Sequence, residues 1–565
     1  MKTLKTVGKL RLFGIFGAYL LLSSCQSAPN QPVGPTTPAI SKAEIRNTQI
    51  PDPPGIPSQK PQPSQIDSFE AALIIALERN PDLRVSRLSI IRAGAFAAIE
   101  RGEFDPELYA RLSTSEQRTT EISRSTSEVF SSEVEVARAA AGLRQRLSTG
   151  TEIDLNYSHS REASNRTPEQ QEARIGISIT QSLLRGFGPS VNLAAVRRAD
   201  LRRLTSEFEL RGLIEALLLN VERSCLEILR LRGSIRILES SLELAQEELQ
   251  VVETLIEVGE LPRQEAAVVR SEVALRQQAL INARSELINT RLDLARLLNF
   301  GPGFTGEYPF ETIDASRLFL SVPDSLPEHL AASRFFRAEL NEARLRLSEA
   351  RLETEVTVNG LLPQLDFFVT LGKSGFSNQF SSALRDLGND SYDFSAGLEA
   401  SYPIGNRRRE GQHLLAQTDL AEAYLALENL GEQIAFEIHQ AFNQVERARQ
   451  QISATSISRE LQEETVRAES EKVAVGTTTR LQLAQAKREL VARQIAELEA
   501  RIDYRLRILQ LYRADGTLIE RRGITTGVAS TLSIPSLENL PPADEALPHS
   551  LHSKGTKDLP PPAQP

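Results

Sequence analysis

Residues 474–490 read Ala-Val-Gly-Thr-Thr-Thr-Arg-Leu-Gln-Leu-Ala-Gln-Ala-Lys-Arg-Glu-Leu, and residues 257–273 read Glu-Val-Gly-Glu-Leu-Pro-Arg-Gln-Glu-Ala-Ala-Val-Val-Arg-Ser-Glu-Val. Val-Gly stands second and third in both. Arg263 matches Arg480, Ala267 matches Ala484, and Glu272 matches Glu489. Long helical periodicity runs into each stretch and out of it. A Gly just past a periodic run ends a helix, because only Gly enters the left-handed conformation without steric cost. Pro262 suits the first turn of a returning helix, where its missing N–H is harmless. Each stretch reads as the tip of an antiparallel helical hairpin. One such tip would be an ordinary helical corner; two at matching positions point to a duplicated architecture.

Working outward, the same order of elements appears twice. In the first copy, Phe69 to Leu83 is helical, with Asp67 or Ser68 as its cap, and the pattern continues to about Ile99. After Phe104-Asp105-Pro106 the period changes to two. Leu108, Ala110 and Leu112 alternate with polar residues, as do Ile153, Leu155 and Tyr157, and then Ile175, Ile177 and Ile179. In the second copy, 325–358 is helical. Past Pro363, Leu365, Phe367, Val369 and Leu371 alternate, followed by Phe394, Ala396, Leu398, Ala400 and Tyr402. Each strand region leads into a very long helix, 190–257 and 407–475.

The offsets between copies locate an insertion. Pro81 to Ala338 and Pro106 to Pro363 are both 257 residues, whereas Gly259 to Gly476 is 217. The first copy therefore holds about 40 extra residues (257 − 217), mostly in the polar stretch 115–170. That stretch is either a long loop or an added β-hairpin around Ser148-Thr149-Gly150. The helix 190–257 would be roughly 100 Å long at 1.5 Å per residue. Its apolar residues recur every seven: Ile214, Val221, Ile228, Ile235, Leu242, Leu249, Ile256. A second set, Leu217, Ser224, Leu231, Leu238, Ala245, Val252, runs beside it. Sustained sevens place the helix in a long coiled-coil-like assembly. In 407–475 the register holds through Ile438, Val445 and Ile452 and breaks at Arg459.

The start of the chain sets the compartment. Lys2, Lys5, Lys9 and Arg11 precede the apolar run Leu12–Leu22, which is short for a bilayer span and reads as a signal-peptide core. It ends Leu22-Ser23-Ser24-Cys25, similar to a bacterial lipoprotein signal in which the Cys carries the lipid. Gln26 follows, not the Asp that resembles an inner-membrane retention signal. Cys225 is the other cysteine and reads as a small buried residue. Residues 26–63 hold ten prolines and read as an extended tether. The net charge of −9, with signs interspersed, gives no basic block for nucleic acid.

No run of about 18 apolar residues follows residue 25, so no helix is expected to cross a membrane. Strands with one apolar and one polar face in an exported chain fit either a periplasmic sandwich or a transmembrane β-barrel. Two or three hairpins per chain cannot close a barrel alone, so a barrel requires several chains.

Together these stretches resemble the TolC-like outer-membrane efflux proteins, over about residues 66–520. The resemblance is carried by Ala71-Ala72-Leu73 with Asn80-Pro81-Asp82-Leu83, Leu362-Pro363 and Gln181-Ser182-Leu183-Leu184-Arg185-Gly186-Phe187-Gly188. Tyr402-Pro403-Ile404, the two Val-Gly tips and Tyr512 to Leu518 complete it. The fold this implies is mainly α with membrane β: a duplicated helix–strand–strand–helix repeat forming a trimeric β-barrel plus a long coiled-coil α-barrel. The implied partners are two further copies, outer-membrane lipid, a periplasmic adaptor and an inner-membrane pump. The implied order along the chain is a lipoprotein signal peptide (1–25), a disordered tether (26–63), a first channel repeat (64–300), an inter-repeat loop (301–323), a second repeat (324–520) and a Pro-rich disordered tail (521–565). Cys25 would be lipidated. Val258, Gly259, Leu261 and Arg263 at one tip, with Val475, Gly476, Thr477, Thr478 and Arg480 at the other, would dock the adaptor. Arg337-Ala338-Glu339-Leu340 replaces the family's usual Arg-Pro-Asp-Leu, and the 40-residue excess departs from its usual four strands per chain.

No chemistry of catalysis stands out. Gly301-Pro-Gly-Phe-Thr-Gly306 follows a helix and contains Pro302, so it reads as a loop, and Gly372-Lys373-Ser374 sits in a strand pattern. The six His residues show no paired ligand spacing, and neither metal nor cofactor is expected. Two other classes stay open on sequence: a periplasmic adaptor with a lipid anchor, and a structural coiled-coil envelope lipoprotein.

Overall fold

The structure, a computed structural model, describes residues 69–122, 129–300 and 324–524. All of them belong to the unit Ser58–Pro565. Cys25, the tether, the caps Asp67 and Ser68, the loop 301–323 and all of the Pro-rich tail after residue 524 lie outside the described residues, whereas Arg521, read as the start of that tail, ends the last helix.

The first repeat runs α1 (Phe69–Arg79), α2 (Pro81–Arg101), β1 (Glu107–Ile122), β2 (Val129–Arg146), β3 (Thr151–Ser164), β4 (Gln170–Ser182), α3 (Pro189–Asn192), α4 (Ala194–Glu257) and α5 (Gln264–Leu297). The second runs α6 (Leu326–Phe336), α7 (Ala338–Leu361), β5 (Gln364–Ser377), α8 (Phe380–Asp386), β6 (Tyr392–Ser401), α9 (Arg407–Ala474), α10 (Arg480–Ala514) and α11 (Leu518–Arg521). The six strands form one antiparallel sheet in sequence order, β1 to β6. The chain is thus mainly helical with an antiparallel sheet, as expected. The extra residues of the first copy are an added hairpin: β1 continues to Ile122, and β2 pairs with both β1 and β3. The turn between β2 and β3 contains Ser148-Thr149-Gly150, with Gly150 at φ +85°.

Three helical readings need correction. The stretch 69–99 is not one helix; it breaks at Asn80, whose φ of −58° and ψ of 126° are extended. A residue before proline is pushed out of the helical region, and Asn80 then caps α2 by accepting from the N–H groups of Asp82 and Leu83. The stretch 325–358 breaks at the equivalent place, Arg337, although no proline follows. Here the cause is tertiary. Arg337 Nη1 donates to the carbonyls of Arg513 (3.1 Å) and Ala514 (3.0 Å) at the end of α10. Asn80 Nδ2 does the same to the Leu297 carbonyl at the end of α5 (3.2 Å). Finally, the helix read as 190–257 is two: the short α3, then the 64 residues of α4.

Above the sheet-proximal ends, α4 packs against α2 and α7, and α7 packs against α9. Toward the tips, α4 packs against α5 and α10, and α10 against α9. The second heptad set of α4 is buried down to the tip at Leu231, Leu238, Ala245 and Val252. The first set is fully buried only at Ile214, Val221 and Ile228. The main core gathers around Leu218, Ile228, Leu294, Ile438, Leu511 and Tyr512, where α4, α5, α9 and α10 meet α1 and α11. Each such side chain contributes about 1.5–3 kcal/mol by burial.

Candidate functional site

Both tips have the same backbone. At the first, Gly259 has φ +84°, its N–H donates to Ile256, and the Glu260 N–H donates to Leu255. At the second, Gly476 has φ +74°, its N–H donates to Val473, and the Thr477 N–H donates to Lys472. This paired pattern satisfies carbonyls that the helix end leaves free, and it needs a left-handed residue. A Cβ at either glycine would meet nothing within 4 Å, so its surroundings are open.

Val258 and Val475 stand beside these glycines and are 66 % and 74 % exposed. Leu261 is half-buried and packs on the cluster of Val252, Ala266 and Val269, so it braces its own hairpin. Arg263 is exposed and occupies the capping position of α5, one residue before the helix; Arg480 is the first residue of α10. The Thr477 hydroxyl donates to the Lys472 carbonyl (3.1 Å) and the Thr478 hydroxyl to Glu469 (3.2 Å). Thr479 caps α10 reciprocally with Gln482.

The hairpins are tied together above the tips by ion pairs that sequence reasoning missed. Lys487 meets Glu248 (2.6 Å), Arg488 meets Glu272 (2.8 Å), and Arg230 meets Glu499 (3.0 Å). A cavity of about 530 Å³ lies between the hairpins, lined in part by Ala245, Glu272 and Leu490. Arg459, where the heptad of α9 breaks, reaches this cavity and pairs with Glu497. Among the described residues no group of three or more His, Cys, Asp or Glu is arranged to hold a metal.

Higher up, Arg211 is almost fully buried. It donates to both Glu520 oxygens at 2.9 Å and to the Gly516 carbonyl at 2.9 Å. Glu215 lies 3.4 Å from the same guanidinium, yet its Oε1 has no hydrogen-bond partner. Burial pushes the Glu215 carboxyl up to about 8, more than nearby Arg211 pulls it down. Glu520 thus supplies the hydrogen-bonded carboxylate partner of Arg211, while burial favours the protonated form of Glu215. These groups are 4, 305 and 309 residues from Arg211 in the chain, which is why only their proximity in the fold reveals the cluster.

The sheet supplies the deciding observation. Leu108, Leu143, Leu155, Ile177, Leu371 and Phe394 are successive cross-strand partners, forming one apolar row across all six strands. Every one of them is 39–82 % exposed. The next row, on the opposite face, is Tyr109, Gly142, Asn156, Gly176, Gly372 and Asp393. An exposed apolar face this broad, backed by a polar one, is what a bilayer-facing barrel wall presents. Among the described residues no helix is long and apolar enough to cross a membrane. A profile of the outer membrane efflux protein family matches residues 73–299 and 334–517, most of the chain.

This chain belongs to the outer membrane efflux protein family. The family is one of channel proteins rather than enzymes, so the coarse assignment is an outer-membrane efflux channel. Among solved structures, the fold is similar to the Campylobacter jejuni CmeC outer membrane channel (TM-score 0.59, 14 % identity, covering 93 % of this chain and 100 % of that one). It is also similar to the outer-membrane channel OprN (0.60, 17 %, covering 79 % and 89 %). A third is the outer membrane protein VceC from Vibrio cholerae (0.57, 16 %, covering 79 % and 96 %). At these identities the likeness establishes the fold alone. No curated protein matches the chain.

Proposed function

We propose that three copies of this efflux protein share one outer-membrane barrel, and that their hairpin tips receive solutes from a periplasmic adaptor coupled to an inner-membrane pump. The service is efflux or type I secretion. The observation that carries this reading is the apolar row ending on two unpaired strands. Among the described residues, β1 pairs only with β2 and β6 only with β5. Unpaired backbone groups in lipid cost several kcal/mol each, so both edges require another chain. The helices above carry matching unpartnered apolar residues: Val85, Phe96 and Ile99 on α2, and Leu415, Leu425 and Phe436 on α9. A head-to-tail ring covers both sets. Repeats 64–300 and 324–520 then build the channel, with 26–63 tethering it to a lipid on Cys25.

The docking role of the tips rests on exposed Val258 and Val475 around glycines with open surroundings. It is tested by substituting Gly259→Val and Gly476→Val together. Strain at a positive φ costs about 1–2 kcal/mol per site, too little to dissociate an assembly held along its whole length. Normal trimer abundance with lost adaptor crosslinking and lost export supports docking. Export that persists refutes it, and loss of the trimer reduces the glycines to helix ends. Copy number itself is read by light scattering in mild detergent, where a monodisperse monomer excludes the shared barrel.

A further inference from the structure

The geometry points to an eighteen-stranded barrel whose bore is as wide as the helical tunnel beneath it, so the membrane exit passes bulky solutes without a constriction. This rests on the three-copy reading above. It differs from a barrel of four strands per chain with the β1–β2 hairpin left outside the wall.

Four features place that hairpin in the wall. First, β2 pairs with β3 through thirteen registered positions, from Val134 opposite Ser164 to Arg146 opposite Glu152, across a short turn. Second, the alternation extends into the sheet-proximal half of the hairpin. Leu108, Ala110 and Leu112 oppose Leu143, Ala141 and Ala139 on the apolar face, while Arg111 and Ser113 oppose Ala140 and Arg138 on the polar one. A hairpin standing in water on both sides has no need of this. Third, helix and strand order agree. The helices pack in the order α2, α4, α7, α9, and these join β1, β4, β5 and β6 respectively.

Fourth, the arcs match. Four helices side by side at 8–10 Å occupy about 32–40 Å of circumference per chain. Six strands 4.7–4.9 Å apart and tilted 35–45° occupy about 34–42 Å. Four strands would occupy only about 23–28 Å by the same reckoning and would force the wall to narrow sharply. With three copies, eighteen strands give a backbone diameter of about 36 Å and a bore of about 25 Å inside the side chains, against about 24 Å of backbone diameter for twelve.

The polar face is also kept clear. Gly142, Gly176 and Gly372 share its middle row, and the Tyr109 ring lies where a Cβ on Gly142 would stand. Tyr109 is held there by Asp154 (3.2 Å) and by Arg144 stacked over its ring (5.3 Å to the centroid). At the far end, α8 folds over the opposite, apolar face. A Cβ on Gly375 would strike its backbone, and His159 meets Phe380 edge-on at 4.6 Å. His159, Ala173 and Gly375 form a row on that apolar face.

The test uses full-length protein in lipid nanodiscs, with single cysteines introduced along β2 and copy number measured by native mass spectrometry. Ala140→Cys and Arg138→Cys should react with water-soluble maleimides, and Ala139→Cys and Ala141→Cys should not. Polymeric maleimides up to about 20 Å across should still reach Ala140→Cys, being smaller than the bore an eighteen-stranded wall encloses. Electron cryo-microscopy viewed along the pore should count eighteen strands. Three copies with even labelling along β2, or with twelve strands in the wall, overturn the inference while leaving the trimer intact. Three copies whose Ala140→Cys takes only small reagents overturn the wide bore. A copy number other than three defeats the trimer reading, and the strand total with it.

Discussion

Replacing Glu215 by Gln should stabilise the protein at alkaline pH and leave it unchanged in acid. Burial lifts the folded-state carboxyl from its usual 4.5 to about 8, the opposing pull of Arg211 being smaller. The folded state therefore holds this proton more tightly than the unfolded state does. Its contribution is fully present below pH 4.5 and is lost as pH rises toward 8. A gap of that size at 1.36 kcal/mol per unit is roughly 5 kcal/mol per chain, most of it lost by pH 8.5. Gln keeps the neutral shape and cannot ionise. Differential scanning calorimetry of wild type and variant, at one scan rate, should give coincident transitions at pH 5 and a higher variant transition at pH 8.5. A difference that is the same at both pH values refutes the reasoning. A variant less stable at pH 8.5 would mean that Glu215 is ionised and paired with Arg211, and that Glu520 is not the sole counterion.

Three further outcomes follow from named residues. Cys25→Ser should abolish incorporation of labelled fatty acid, since a thioether needs the sulfur; equal labelling of the variant would remove the lipid anchor from the account. The Cys225 thiol, pushed up to about 12 first by burial and then by Glu222, should resist alkylation in the folded protein and react fully in denaturant. Rapid alkylation of the native state would contradict its burial. Arg337→Ala removes two bonds to the end of α10 and the 3.0 Å contact with Glu437. It should destabilise by about 2–3 kcal/mol, seen as a lower unfolding temperature, and an unchanged temperature would show that the break in the second repeat holds without it.

Much of this efflux protein can be read locally, and the rest cannot. Gly259 and Gly476 announce their turns because a positive φ is a property of one residue. The heptads of α4 and the alternation in β3 to β6 are periodic, and periodicity is a short-range signal. Asn80 could be read as a break because Pro81 follows it. Arg337 could not, since its break depends on the end of α10, 176 and 177 residues away. The start of β1 was legible as alternation at Leu108, Ala110 and Leu112, whereas β2 was legible only as an excess of residues, open between a loop and a hairpin. The outer half of the hairpin, beyond Leu112, carries charge on both faces, including the Arg118–Glu133 pair at 2.8 Å, which dilutes the alternation that marks a strand. Leu261 looks like an exposed knob in the sequence, and only packing against Val252 and Val269 turns it inward. The protonation of Glu215 depends on the low-dielectric space shared with Arg211 and Glu520. The sequence by itself determined the duplication, the tips and the two-faced strands, each set by a neighbour within a few positions. Strand number, the buried charges and the second helix break waited for the tertiary structure, because each depends on groups brought together from distant parts of the chain.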